Sequence, residues 1–310
     1  MFQKNVPLKE YVHYKIGGKA DYFCEPKNID ELRDAILEAR NLSIPVFVLG
    51  SGTNLLVSDK GFRGLVIRPK LEGIRREGNK IIAGSGVLMS ELLEFAANAG
   101  LSGLEWAGGL PGTVGGAVRG NAGAFSGEMK DSVHEVAAIN TNDPDLKLVR
   151  RENPEAQFGY RTSIFKEIGT EVIIEAILSL TPGDPETIRK AGESRMAYRK
   201  ERHPMEYPSL GSTFKNVPVS AFKPEVLPVL QGVIKNDPFP VVPTAYLISE
   251  SGVKGIKSGG AQVSEKHPNF IVNLGGATAK DVEALIALVK EKVKEKFGIV
   301  LEEEVMRLGE

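Results

Sequence analysis

Residues 103–127 read GLEWAGGLPGTVGGAVRGNAGAFSG, with glycine at nine of 25 positions. Glycine loses more backbone entropy on folding than any other residue, so a folded domain rarely concentrates it without a use. Such a stretch cannot be one long helix or strand. It is not a flexible linker either, because Leu104, Trp106, Leu110, Val114, Val118 and Phe125 anchor it to a core. The reading left is an ordered loop whose bare N–H groups come close to a ligand, most simply one that carries phosphate.

Composition sets the class. The chain has 310 residues, 42% hydrophobic and 25% charged, which is ordinary for a globular protein with a full core. Its net charge of −1 gives no sign of nucleic acid or an anionic membrane as partner. The lone cysteine, Cys24, rules out an intrachain disulfide framework and reads as a buried, inert thiol in an apolar run. The four histidines show no ligand spacing, so no metal is expected. The first 15 residues lack the apolar stretch of a signal peptide, and no run approaches the roughly 20 apolar residues that span a bilayer. A cytoplasmic location is expected.

Apolar periodicity predicts helices at 29–40, 88–99, 185–201, near 243–251 and at 279–297. It predicts a buried strand at 45–49, further strands at 64–69, 80–85, 133–141, 170–180, 269–274 and 299–308, and short strands around 211–216. The basic end of the third helix (Arg195, Arg199, Lys200, Arg202) reads as a solvated face. The alternation implies α+β domains with mixed sheets. Boundaries are expected near 100–105 and 200–207, giving 1–100, 101–203 and 204–310.

Five motifs carry candidate chemistry. A strand empties into Gly50-Ser51-Gly52-Thr53-Asn54, a nest for a phosphate oxygen or, equally, a tight turn. Neither G-x-G-x-x-G nor G-x-x-x-x-G-K-[ST] occurs, which argues against the dinucleotide and P-loop fingerprints. Pro111-Gly112-Thr113-Val114-Gly115-Gly116 suits close backbone approach to a flat or diphosphate-bearing cofactor, against a purely structural loop. Tyr160-Arg161 offers a bidentate carboxylate clamp or a surface arginine. Gly211-Ser212-Thr213-Phe214-Lys215-Asn216 offers a hydroxyl acid or a turn, and no His–Asp pair marks Ser212 as a nucleophile. In Leu301-Glu302-Glu303-Glu304-Val305, a strand would put Glu304 on the face of Val300, Met306 and Leu308, where a carboxylate suits a site. A slip of one residue would present Glu303 instead.

In this order and spacing, together with Lys15-Ile-Gly-Gly-Lys-Ala-Asp-Tyr, Asn121-Ala122-Gly-Ala and Ala261-Gln262-Val-Ser-Glu-Lys-His, these motifs resemble the UDP-N-acetylenolpyruvoylglucosamine reductase family from about Tyr14 to Gly309. The length resembles the shorter, type II subclass, which lacks an extra tyrosine-bearing loop. The resemblance implies a two-subdomain FAD-binding fold of the vanillyl-alcohol-oxidase/PCMH type followed by a C-terminal α+β substrate domain. It implies FAD as cofactor, NADPH as hydride donor, and reduction of an enolpyruvyl sugar nucleotide to its lactyl ether for peptidoglycan. It implies Ser212 as proton donor, with Arg161 and Glu304 polarising the substrate carboxylate. Gly50, Ser51, Gly52, Thr53, Asn54, Pro111, Gly112, Thr113, Gly115, Gly116, Asn121 and Ala122 stand as cofactor-binding. Tyr160, Lys215, Asn216 and Gln262 stand as substrate-binding. Val217 and Gly120 depart from the proline and methionine common in the family, which touches loop stiffness rather than reacting groups. A monomer acting on small molecules is expected, with no nucleic-acid or membrane partner. The rivals are another FAD oxidoreductase on the same scaffold and a non-enzymatic ligand sensor.

Overall fold

The computed structural model describes residues 2–309. The chain forms two compact units. The first takes the chain through Val6, Asp21–Ser51 and Arg63–Arg199. The second takes Pro7–Ala20, Gly52–Phe62 and the chain from Lys200 onward, so two early segments join the C-terminal part.

The first unit is built on two sheets. One runs in the order Gln3–Pro7, Lys19–Cys24, Phe62–Ile67, Val46–Val48, with the last pair parallel. The other is antiparallel, in the order Leu148–Glu152, Val133–Asn140, Glu171–Ser179, Lys80–Gly84, Ile74–Glu77. Side chains alternate faces along a strand, and a register irregularity between Ile173 and Glu175 shifts the alternation, so its central strand feeds two cores. Val172 and Ile174 pack with Leu32, Ala35, Ile36 and Ala39 of the helix Ile29–Asn41. Ile173, Ala176 and Leu178 pack with Leu92 and Ala96 of the helix Met89–Asn98 and with Val114 and Val118. The strand expected to be buried at 45–49 shortens to Val46–Val48, and both valines stay more than one-third exposed because the strand is a sheet edge. Cys24 is half-buried, and burial pushes its thiol up to about 11.

The second unit centres on the helix Ala279–Phe297. Thr278 and Asp281 form its capping box, and Gly298, at φ +70°, ends it in the left-handed region. Its stripe Val282, Leu285, Ile286, Val289 and Val293 shares a core with Ala261, Val263 and Ile271 of a three-stranded sheet. Val217–Pro218, Pro240–Val242 and Lys235–Asn236 form a second small sheet. The strand expected at 299–308 is regular only over Met306–Leu308, which pairs parallel to Leu55–Val57. Around 211–216 the expected strands reduce to one bridge, Phe214 to Glu303, before Val217. Among the described residues no helix is long and apolar enough to cross a membrane.

Candidate active site

In the first unit two glycine turns meet. A Cβ added to Gly50 would stand 2.8 Å from Thr113 Oγ1, so the Thr113 side chain packs over Gly50 where a larger residue would meet it. Leu49 is the last residue of its strand whose N–H is engaged, donating to Ile67 O at 2.8 Å. Beyond it, the N–H groups of Gly50 and Ser51 donate to no protein acceptor among the described residues. The same holds for Gly109, Gly112 and Thr113 in the second turn. Pro111 has no N–H and fixes that turn's shape.

Other members of the second turn are not free to donate. Gly115 N–H bonds Ser85 O at 3.0 Å, Asn121 N–H bonds Val118 O at 3.1 Å, and Ala122 N–H bonds Ala117 O at 2.8 Å. Gly115 is glycine for packing, since a Cβ there would lie 2.8 Å from Ser85 Cβ. Gly116 is exposed, with nothing nearer than 3.5 Å to a Cβ position, and remains open to a flat ligand. Among the described residues, Ser85 Oγ, packed against Gly115, and Trp106 Nε1, packed against Gly127, are buried without a partner. Bare amides on two adjoining turns, an open glycine and orphaned buried donors fit a diphosphate-bearing coenzyme such as FAD.

Asn121 is fully buried at φ +41°, and its side chain is wholly spent inside the protein. Its amide nitrogen donates to Gly159 O at 2.8 Å and to Glu128 Oε2 at 3.2 Å, and its oxygen accepts from Lys130 N at 3.0 Å. The Asn121 side chain therefore braces the loop that carries Tyr160 and Arg161. Arg161 adopts φ +59°, and its Nη2 donates to Gly123 O at 2.8 Å. Its guanidinium lies 5.0 Å from the centroid of the Tyr160 ring.

In the second unit, Ser212 follows Gly211, whose φ of +75° lies in the left-handed region. The segment is pinned on both sides. Asn269 O accepts from Thr213 N at 2.7 Å, and the Asn269 side chain bonds Phe214 N at 3.0 Å and Phe214 O at 2.8 Å. Glu304 N donates to Thr213 O at 2.9 Å, and Lys215 N donates to Glu302 O at 3.0 Å. The Ser212 hydroxyl makes no hydrogen bond to the protein among the described residues. Asn54 belongs to this unit, and its amide nitrogen donates to Glu304 O at 3.0 Å. Its side chain is tied to the Glu304 main chain.

Glu303 and Glu304 separate cleanly. The Glu303 carboxylate is held by Lys290 at 2.5 Å and by Arg307 at 3.1 Å, which leaves it in an ion-pair network. Glu304 does not share an apolar face with Val300, which is 71% exposed, because residues 299–304 do not run as a strand. Lys215 pairs with Glu302. Asn216 Oδ1 accepts from Thr244 N at 3.1 Å, and Gln262 Nε2 donates to Gly255 O at 2.9 Å, so both amides are partly committed to the fold.

Two residues escaped the sequence reading. Asn269 lies just past the Ala261–His267 motif and acts on a segment 55 residues away, a link that local pattern does not carry. Arg199 was assigned to a solvated face. It is 9% exposed, and its Nε donates to Gly108 O at 2.9 Å.

A family model described as UDP-N-acetylenolpyruvoylglucosamine reductase, C-terminal domain, matches residues 203–308, and one described as FAD binding domain matches residues 20–145. The chain is 42% identical over 307 residues to the UDP-N-acetylenolpyruvoylglucosamine reductase of Caldanaerobacter subterraneus, covering 99% of this chain and 93% of the relative. It is 40% identical to that of Clostridium novyi, covering 99% and 92%. Among solved structures, the UDP-N-acetylenolpyruvylglucosamine reductase of Thermus caldophilus matches over 100% of both chains, with TM-score 0.77 and 32% identity.

Proposed function

The chain belongs to the UDP-N-acetylenolpyruvoylglucosamine reductase family, and from that premise we propose how its residues divide the work. The protein is an FAD-dependent oxidoreductase that uses NADPH to reduce UDP-N-acetylglucosamine enolpyruvate to UDP-N-acetylmuramate, a peptidoglycan precursor. FAD, when bound, supplies a carrier that takes hydride from NADPH and delivers it to the enolpyruvyl double bond.

Gly50, Ser51, Gly112 and Thr113 hold the coenzyme through main-chain N–H groups, and Gly52 and Thr53 extend the same turn. Hydride addition at the methylene carbon of the substrate pushes an electron pair onto the carbon that bears the carboxylate. Arg161 binds that carboxylate and spreads the growing charge, and Glu304 polarises it. Ser212 Oγ–H gives its proton to the charged carbon, which completes the lactyl ether. Interactions made mainly as charge develops are each worth about 3–4 kcal/mol of barrier. Tyr160, Lys215, Asn216 and Gln262 line the sugar-nucleotide side. Residues 1–100 and 101–203 serve the coenzyme, apart from Tyr160 and Arg161, and 204–310 supply the remaining substrate groups. We take the enzyme to act as a monomer on small molecules in the cytoplasm.

The observation that carries this reading is the Ser212 hydroxyl, unpartnered in the protein and fixed beside Glu304 by the Thr213–Glu304 main-chain bond. Turnover in D2O tests it. Deuterium should enter the product only at the carbon beside the carboxylate, while hydrogen from NADPH appears only in the new methyl group. Solvent deuterium in the methyl group would overturn the division of roles.

A further inference from the structure

The helix Pro185–Arg202 buries only two side chains, Ile188 and Arg199. A guanidinium is among the least tolerable groups to bury without an anion. Arg199 forms no ion pair among the described residues. Its Nε is spent on Gly108 O, while its Nη2 is buried with no partner. The side chain is held in place: its Cζ lies 5.4 Å from the centroid of the Phe125 ring, and a Cβ on Gly109 would meet its Cδ at 3.0 Å. Phe125 also receives Arg195, 4.8 Å away, and the edge of Tyr198, 5.3 Å away. Arg161 stands close enough that its charge, added to the effect of burial, pushes the Arg199 guanidinium below its ordinary pKa. Arg161, Arg195 and Arg199 therefore converge around residues 108–125, and Arg199 keeps a donor in reserve.

We propose that Arg199 is an anion-binding residue of this enzyme, its Nη2 completed by a phosphate or carboxylate oxygen of a bound ligand, contributed either by the coenzyme or by the sugar nucleotide. The free protein carries the uncompensated charge, and the ligand neutralises it. This deepens the functional reading above and rests on it for the identity of the two ligands.

Arg199→Met tests the inference, because it removes the charge and keeps an apolar stem. Two quantities are read on the holoenzyme: release of FAD, from the fluorescence of freed flavin, and KM for the enolpyruvyl sugar nucleotide. A rise of tenfold or more in the FAD dissociation constant, with KM unchanged, assigns the coenzyme oxygen. The same rise in KM, with flavin retention unchanged, assigns the sugar nucleotide. Thermal stability without added ligand should hold or increase, since an unpaired buried charge is gone. Arg199→Gln carries the same measurements if the methionine variant does not fold. Both constants within twofold of wild type, with lowered stability, would reduce Arg199 to a structural strut and overturn the inference. If wild type fails to turn over the sugar nucleotide, the functional reading fails, and flavin retention still decides whether Arg199 serves the coenzyme.

Discussion

Ser212 keeps its hydroxyl unspent while Asn269, Glu304 and Glu302 consume the main-chain groups around it. Asn54 illustrates the reverse. It lies within a phosphate-nest motif, yet its amide is committed to Glu304 O. Asn54→Ala should therefore leave FAD retention intact and lower kcat about tenfold, because a shift of the carboxylate's backbone costs alignment. Flavin content per chain and steady-state kinetics check this. Loss of flavin with kcat per bound flavin unchanged would return Asn54 to the coenzyme.

At the scale of elements, the glycine turns and helix caps make separable predictions. Gly50→Ala places a methyl group 2.8 Å from Thr113 Oγ1, a distance real Cβ atoms do not tolerate. The Thr113 side chain or one of the turns must move, and FAD should dissociate at least tenfold more readily, as read by flavin fluorescence. Thr278→Ala removes the cap of the helix Ala279–Phe297 and should cost about 1 kcal/mol in urea unfolding, with kcat unchanged. Period and capping made the helices Ile29–Asn41, Met89–Asn98 and Ala279–Phe297 legible in the sequence to within a residue or two. What was not legible is tertiary. Val46 and Val48 form an apolar run that reads as buried, but the strand is an edge. Arg199 looks like any basic helix end until Gly108 and Phe125 pack over it. The carboxylates at 302–304 read as a strand, yet pair with 213–215 through a single bridge. The glycine turns and the Gly211–Asn216 segment were readable as candidates because glycine and hydroxyl clusters are local signals, and the role given to Ser212 came from the family resemblance. Asn269 was not, because its whole effect is exerted on Phe214 across the second unit.

At the scale of the whole molecule, pH should act through burial. His267 in the second unit packs its ring against His203 and Phe270, and burial lowers its pKa from 6.5 to about 4. The native state then binds fewer protons than the unfolded state between these values, so stability falls as pH drops from about 6.5 towards 4. The loss from this group is at most about 3 kcal/mol. Urea midpoints at pH 7 and pH 4.5 measure it, and His267→Gln should flatten the slope across that window. An unchanged slope would show that the ring is as accessible to protons in the folded chain as in the unfolded one. Because Pro7–Ala20 and Gly52–Phe62 fold with the C-terminal chain, cleavage at residue 204 should not release a C-terminal fragment that folds unaided.

The central claim is that Ser212 supplies the proton that completes reduction, while the coenzyme turns belong to a separate set of residues. The direct measurement is the pair of half-reactions in Ser212→Ala under anaerobic conditions. NADPH should bleach the bound flavin at the wild-type rate, and the enolpyruvyl sugar nucleotide should then restore its colour at least a hundredfold more slowly. Recovery of colour at the wild-type rate would contradict the account.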